Sequence, residues 1–188
     1  MAKIFVTSDL HFCHDREFIY KPRGFETVDE MNITILQNWN EYVRPKDTVY
    51  VLGDLMLGGP KSTEGLDYIS QLNGNLHLVL GNHDTDRRKQ LYSELKNVIS
   101  IDYATMLHYK GYHFYMSHYP TLTANLEKES LKQCTINLFG HTHQTTKFFN
   151  DMPFMYHVGV DAHNCTPVEI DDIIKDMKEK VKECLNVL

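Results

Sequence analysis

Leu78-Val79-Leu80-Gly81-Asn82-His83-Asp84 sets the reading of the whole chain. Three apolar residues stop at a glycine, and three polar side chains follow in a row. A short apolar run bounded by glycine is how a strand buried on both faces reads. Gly81 lets the backbone turn where a side chain would clash. Asn82, His83 and Asp84 then fall at the carboxyl end of a strand, where open α/β sheets keep their ligand sites. Gly-Asn is also an ordinary turn, so the stretch decides little until it is seen to recur.

It recurs four times. Ile4-Phe5-Val6-Thr7-Ser8 runs into Asp9-Leu10-His11, and Thr48-Val49-Tyr50-Val51-Leu52 runs into Gly53-Asp54. Tyr112–Ser117 runs into His118, and Thr135–Phe139 runs into Gly140-His141-Thr142-His143. Of the eleven histidines, His11, His83, His118, His141 and His143 sit at these strand ends. Random placement would scatter them over helices and loops.

The 188 residues fit one domain, 1–188, with room for a full core. A net charge of −6 argues against a general nucleic-acid binder, which shows a basic excess. It leaves room for a small positive site supplied by bound divalent ions. The amino terminus enters a strand at once, and no apolar run is long enough for a bilayer, so a cytoplasmic protein is expected. Cys13, Cys134, Cys165 and Cys184 are far apart with no CxxC spacing, which argues against a zinc knot or a disulfide framework. Cys184 is expected as a small apolar filler on the last helix.

Between the strands the chain reads as follows. Residues 9–26 form a long loop with a helical turn near Arg16–Tyr20. Thr27-Val28-Asp29-Glu30 is a capping box, and the helix after it carries Val28, Met31, Ile35, Trp39 and Tyr42 on one face. Ser62 caps a second helix, which Gly74 closes. Asp86–Leu95 is a short charged helix. Ile101–Tyr109 and Tyr112–Ser117 form a hairpin turned at Lys110-Gly111. Gln144–Phe149 and Phe154–Val160 read as two strands. Thr166-Pro167-Val168-Glu169 is a second capping box, opening a last helix that buries Ile170, Ile173, Ile174, Met177, Val181, Cys184 and Leu185. Strand–helix alternation in the first half and strands in the second predict two mixed sheets with helices outside.

Asp, His and Asn offer oxygen and nitrogen donors, the set taken by manganese, iron, zinc, nickel or magnesium. The seven candidates are Asp9, His11, Asp54, Asn82, His118, His141 and His143. That is too many for one ion and about right for two that share a carboxylate. Two ions about 3.5–4 Å apart clamp an in-line displacement at phosphorus and acidify a bridging water. His83 is left without a ligand role if Asn82 is the ligand, and so is free to protonate the leaving oxygen. Asp84 either orients His83 or serves the turn. In the 9–26 loop Arg23 is read either as a phosphate donor or as part of a solvated Pro turn, with Lys21 a weaker candidate. His14 is a further phosphate contact or a structural neighbour. Asp161 and His163 are read as stabilising the turn before the last helix.

The order Asp9-x-His11, Gly53-Asp54, Gly81-Asn82-His83-Asp84, His118, Gly140-His141-x-His143 resembles the calcineurin-like metallophosphoesterase superfamily, with all five blocks present in the family's order. The resemblance implies an α/β (α+β) fold, a four-layer αββα sandwich of two mixed sheets flanked by helices. It implies that Asp9, His11 and His143 hold one metal, that Asn82, His118 and His141 hold the other, and that Asp54 bridges. It matches His83 to the general acid, and it has Asn82 and His83 touch the phosphate. The protein-phosphatase branch carries Asp-Arg-Gly after Gly-Asp, and here Leu55-Met56-Leu57-Gly58-Gly59 follows, which turns the reading away from a Ser/Thr protein phosphatase. His11-Phe12-Cys13-His14, Pro22-Arg23-Gly24-Phe25, Asn38-Trp39-Asn40 and Val158-Gly159-Val160-Asp161 are similar to a small group of uncharacterised bacterial and phage phosphoesterases, in which Gly usually stands where Cys13 does here.

The expected activity is hydrolysis of phosphodiester or phosphomonoester bonds by a bridging hydroxide, with diesters preferred. Two divalent ions, manganese first, are the expected cofactors, and a small phosphate ester or short nucleotide is the expected partner. No membrane and no strong nucleic-acid binding are expected. A nuclease acting on oligonucleotides and a metal-binding scaffold without catalysis are the alternatives. The residues name neither substrate nor oligomeric state.

Overall fold

The five runs that end in Asp or His are strands, and they lie in two sheets. The computed structural model describes residues 2–57, 63–123 and 130–186, with side chains to 183. The first sheet is built from β1 (Ile4–Thr7), β2 (Thr48–Leu52), β3 (Asn75–Val79) and β4 (Val98–Asp102), all parallel, in the order β4-β3-β2-β1. The second has β5 (Ala104–Tyr109) antiparallel to β6 (Tyr112–Ser117), then β7 (Thr135–Phe139) and β8 (Met155–His157), parallel to β6. Last, β9 (Val168–Glu169) closes the first sheet beside β1, antiparallel to it. Both sheets are therefore mixed.

Helices α1 (Glu17–Tyr20), α2 (Val28–Tyr42), α3 (Glu64–Ser70) and α4 (Asp86–Ser93) connect the parallel strands, and α5 (Ile170–Asn186) ends the chain. Two cores result. Met31, Ile35 and Trp39 of α2, Ile69 of α3 and Tyr92 of α4 pack on Phe5, Val49, Val51, Leu76 and Leu78 of the first sheet. The alternate strand residues Val6, Leu52 and Val79 face the other way, onto Phe114, Met116, Ile136, Leu138 and Tyr156 of the second sheet. Ile170, Ile173, Ile174 and Met177 of α5 join this second core. Period-two alternation on β1 thus divides its side chains between helices and the facing sheet.

Thr27 caps α2 as expected, its Oγ1 accepting from Glu30 N at 3.2 Å, while the Glu30 carboxylate reaches Glu26 N. Trp39 is wholly buried and donates from Nε1 to Asn73 O at 2.9 Å. Lys110 and Gly111 turn the β5–β6 hairpin with φ of 50 and 80°, as a two-residue turn of this hand requires.

Four local expectations are corrected. The single strand expected over 101–109 is two, broken at the exposed Tyr103: β4 serves the first sheet and β5 the second. Among 144–149 only Phe148 pairs, in an isolated bridge to Tyr156. Val168 and Glu169 do not open a helix but cover the free edge of β1, and α5 starts at Ile170. Pairing with β1 gives these backbone groups partners that a first helical turn would leave unsatisfied. Helix α3 ends at Ser70, so Gly74, at φ +97°, turns the chain into β3 rather than closing α3. The expected cap Ser62 and the side chains of Cys184 and Leu185 lie outside the described residues. No helix of the described residues is long and apolar enough to cross a membrane.

Candidate metal centre

Parallel pairing carries the strand ends to one edge. Beyond β1 and β2 the backbones stay paired: Asp9 N donates to Gly53 O, and His11 N to Asp54 O. On the second sheet Gly140 N donates to His118 O. The sheets meet here, because His141 N donates to the Asp9 carboxylate at 3.0 and 3.2 Å. Asp9, His11, Asp54, His141 and His143 all have φ between 48 and 68°. That left-handed region is uncommon for such residues and collects at functional sites.

Glycine is what allows the close approach. A Cβ on Gly81 would lie 2.2 Å from Asp54 Oδ1, and one on Gly140 would lie 2.4 Å from Asp9 Oδ2. Gly81→Ala is therefore expected to push Asp54 aside. Overpacking of this kind costs about 1–3 kcal/mol, which thermal unfolding would read, and calorimetric titration would show weaker divalent-ion binding.

Asp54 is central. His118 Nε2 lies 3.5 Å from its Oδ2 and His11 Nε2 lies 3.7 Å away, while His83 N donates to its Oδ1 at 2.9 Å. Asp9, His11 and His143 offer three donor atoms within 4.8 Å of one another, and Asp9, Asp54 and His118 offer three more. Asn82 Oδ1 lies 2.9 Å from both His118 Nε2 and His141 Nδ1. The structure thus brings all seven candidate ligands to one place, with Asp9 in both three-donor sets and Asp54 between His11 and His118.

The donor set suits a divalent cation on physical grounds. Asp9 and Asp54 are both buried, and buried carboxylates are paired or bound to metal. Burial pushes the Asp9 carboxyl above its usual range, against the pull of His143 and His118. His11 Nε2 is buried with no hydrogen-bond partner. Its Nδ1 sits 3.1 Å from His14 Nδ1, so the free nitrogen faces the two carboxylates. His118 Nδ1 is held 2.8 Å from Leu52 O, which leaves Nε2 available. Burial holds His11 well below the normal imidazole range and lowers His141 too, which keeps both neutral, as ligands must be.

The remaining candidates separate. His83 is part-exposed on the pocket wall, with Nε2 4.0 Å from Asp54 Oδ2. His14 lines the same pocket, and burial brings it down to about 4. Asp84 does not hold His83. Its Oδ2 accepts from Asp54 N and Gly81 N at 2.7 and 2.8 Å, and its Oδ1 from the Tyr92 hydroxyl at 2.9 Å. It therefore ties the Asp54 turn to the Asn82 turn. Arg23 does not face the pocket either. Its side chain is 1% exposed and forks onto Asp161 at 2.9 and 3.1 Å, and it also donates to the carbonyls of Asp9 and Leu10.

Asp161 is more than a turn residue. Its Oδ2 also receives His143 Nδ1 at 3.0 Å. Burial opposes charge on both partners, but the hydrogen bond and Arg23 hold the Asp161 carboxyl well below the carboxylate range, and Asp161 and Asp9 raise His143. A carboxylate behind a ligating histidine fixes its tautomer and ring. The signal was present in the sequence: the apolar run through Val158 stops at Gly159 and reaches Asp161, repeating the pattern of the five blocks. Ser8, whose hydroxyl donates to Asp9 Oδ2 at 2.5 Å, carried no such signal.

The Calcineurin-like phosphoesterase superfamily domain matches residues 2–158. The chain belongs to this superfamily. Calcineurin-like phosphoesterases are metal-dependent, which accords with the donor sets at the joined sheet edges. The uncharacterised protein MJ1445 of Methanocaldococcus jannaschii is 34% identical over 198 residues, covering 100% of this chain and 99% of that protein. Among solved structures, the protein of unknown function AQ665 from Aquifex aeolicus is similar at a TM-score of 0.71 and 26% identity, over 93% of this chain and 99% of that one. A shorter likeness, 45% identity over 51 residues, joins 27% of this chain to 18% of the symmetrical bis(5′-nucleosyl)-tetraphosphatase of Buchnera aphidicola subsp. Baizongia pistaciae. Two mixed sheets with flanking helices are the fold that the resemblance implied.

Proposed function

We propose that the chain hydrolyses small phosphate esters or short nucleotides with two divalent ions, diesters before monoesters. The observation that carries this is the pair of three-donor sets joined by Asp9, with Asp54 between His11 and His118. Asp9, His11 and His143 would hold one ion, Asn82, His118 and His141 the other, and Asp54 both. When bound, the two ions supply an acidified water and offset charge on the phosphoryl oxygens. Asn82 and His83 bind the ester beside them. His83 gives its proton to the leaving oxygen, and the backbone bond from its N to Asp54 Oδ1 keeps the imidazole on that wall. His14 positions His11 through the contact between their Nδ1 atoms.

The diester preference follows from what lines the site. His11, His14, Phe18, Ile19, Asp54, Asn82, His83, His141 and His143 surround a pocket of about 380 Å³, with no lysine or arginine among these described residues. A monoester dianion then has no lysine or arginine among these residues to offset its second charge, whereas a diester brings one charge fewer.

The test is manganese titration together with hydrolysis of a nitrophenyl phosphate monoester and of the corresponding diester. Two equivalents bound and faster diester turnover are expected, with fewer than two equivalents in Asp54→Asn. A metal-loaded protein inert toward both esters from mild acid to base would overturn the reading.

A further inference from the structure

Resting on the hydrolase reading above, we propose that the substrate carries a nucleobase and that Phe18 is the face on which the base stacks. Phe18 is 69% exposed, yet it does not hang free. Its neighbours on α1, Ile19 and Tyr20, are buried in the first core and fix the short helix. Phe18 is thereby turned outward at the wall of the 380 Å³ pocket. Its ring stands perpendicular to that of His14, 5.7 Å between centroids at 88°, and His14 in turn lies 6.0 Å from His83. An edge-to-face partner holds the ring while leaving a face open. A single exposed aromatic is ordinary on a protein surface, but this one borders the place where the ester must lie.

The pocket, which includes the space that bound ions would fill, has the volume of roughly a dozen waters and leaves room for a group attached to the phosphoryl. The cluster of His11, His14 and His83 places Phe18 on one flank of Asp54. Tyr119 closes the other flank, half-exposed, with its ring 5.1 Å from His118 and 4.7 Å from His141. Of the two rings, Phe18 is the one that lines the pocket, and it offers a planar group attached to the ester a platform there. No lysine or arginine stands among the described residues that line the pocket, which fits one or two nucleosides better than a long strand, since polynucleotide binding needs cations that track the backbone.

The experiment compares the methyl phosphodiesters of adenosine 5′-phosphate and of ribose 5-phosphate, in the second of which a hydroxyl replaces the base, on manganese-loaded protein. In the same protein, binding of adenosine 5′-phosphate and ribose 5-phosphate is measured by calorimetry. Wild type is expected to show a KM and a Kd about 5–100-fold lower for the adenosine compounds, the factor that base–aromatic stacking carries. Phe18→Ala should bring both ratios to about two or less, and Phe18→Tyr should keep them. Equal constants for the two sugars in wild type, or ratios indifferent to Phe18→Ala, would overturn the inference and leave the hydrolase reading standing. No hydrolysis of either diester, with a calorimetric ratio that still depends on Phe18, would do the reverse.

Discussion

Arg23→Ala is expected to destabilise the fold by about 3–5 kcal/mol, the usual result of stripping one partner from a buried ion pair. The Arg23 fork is buried, and it neutralises Asp161 while tying down the carbonyls of Asp9 and Leu10. Without it, Asp161 stays buried with His143 as its remaining partner, and two carbonyls of the ligand loop lose their donor. Because the folded Asp161 carboxyl sits below its usual value of about 3.9, the stability from its ionisation is present above that pH and lost as the pH falls through the lowered folded value. Chemical denaturation at neutral pH is the appropriate measurement. A second consequence separates this role from general packing. His143 loses its orienting carboxylate in Asp161→Ala, so divalent-ion affinity should fall about 10–100-fold. Arg23→Lys should restore part of the stability, but not the two-pronged geometry. A wild-type midpoint in Arg23→Ala would show that the pair is not what holds the loop.

Arg23 also marks where sequence reasoning stops. A cation in a long loop between Pro22 and Gly24 reads as solvated or as a phosphate donor, since nothing local reveals a carboxylate 138 positions on. The convergence of the seven candidate ligands was legible because parallel strands translate a repeated local signal, an apolar run ending in Asp or His, into one shared edge. That reasoning needs only strand polarity, and polarity is written in the run. Sheet membership is not. The residues from Val98 to Tyr109 are uniformly strand-like, yet they divide at Tyr103 because β3 needs a parallel neighbour and β6 an antiparallel one. In the same way Thr166-Pro167-Val168-Glu169 has the residues of a capping box, and the open edge of β1 decides otherwise. Asp84 shows the limit at atomic scale: the side chain after a catalytic candidate bonds backward, to Gly81 and Asp54, and to Tyr92 on α4.

His83→Ala is expected to lower kcat by about 10²–10⁴-fold, the range that one positioned general acid supplies, while the protein still takes up two equivalents of manganese. The separation rests on geometry. The imidazole is part-exposed on the pocket wall and belongs to neither three-donor set, and what ties this residue to Asp54 at hydrogen-bond distance is its backbone N. Alanine keeps that N–H, so Asp54 stays in place and the donors stay converged. What disappears is the proton for the leaving oxygen. The loss should therefore depend on the ester. A nitrophenolate leaves readily without a proton and should show the smaller drop, whereas an alkoxide needs one and should show the larger. Equal loss with both leaving groups would move His83 from proton donor to binder of the phosphoryl oxygens, and loss of metal together with turnover would make it part of the ligand scaffold.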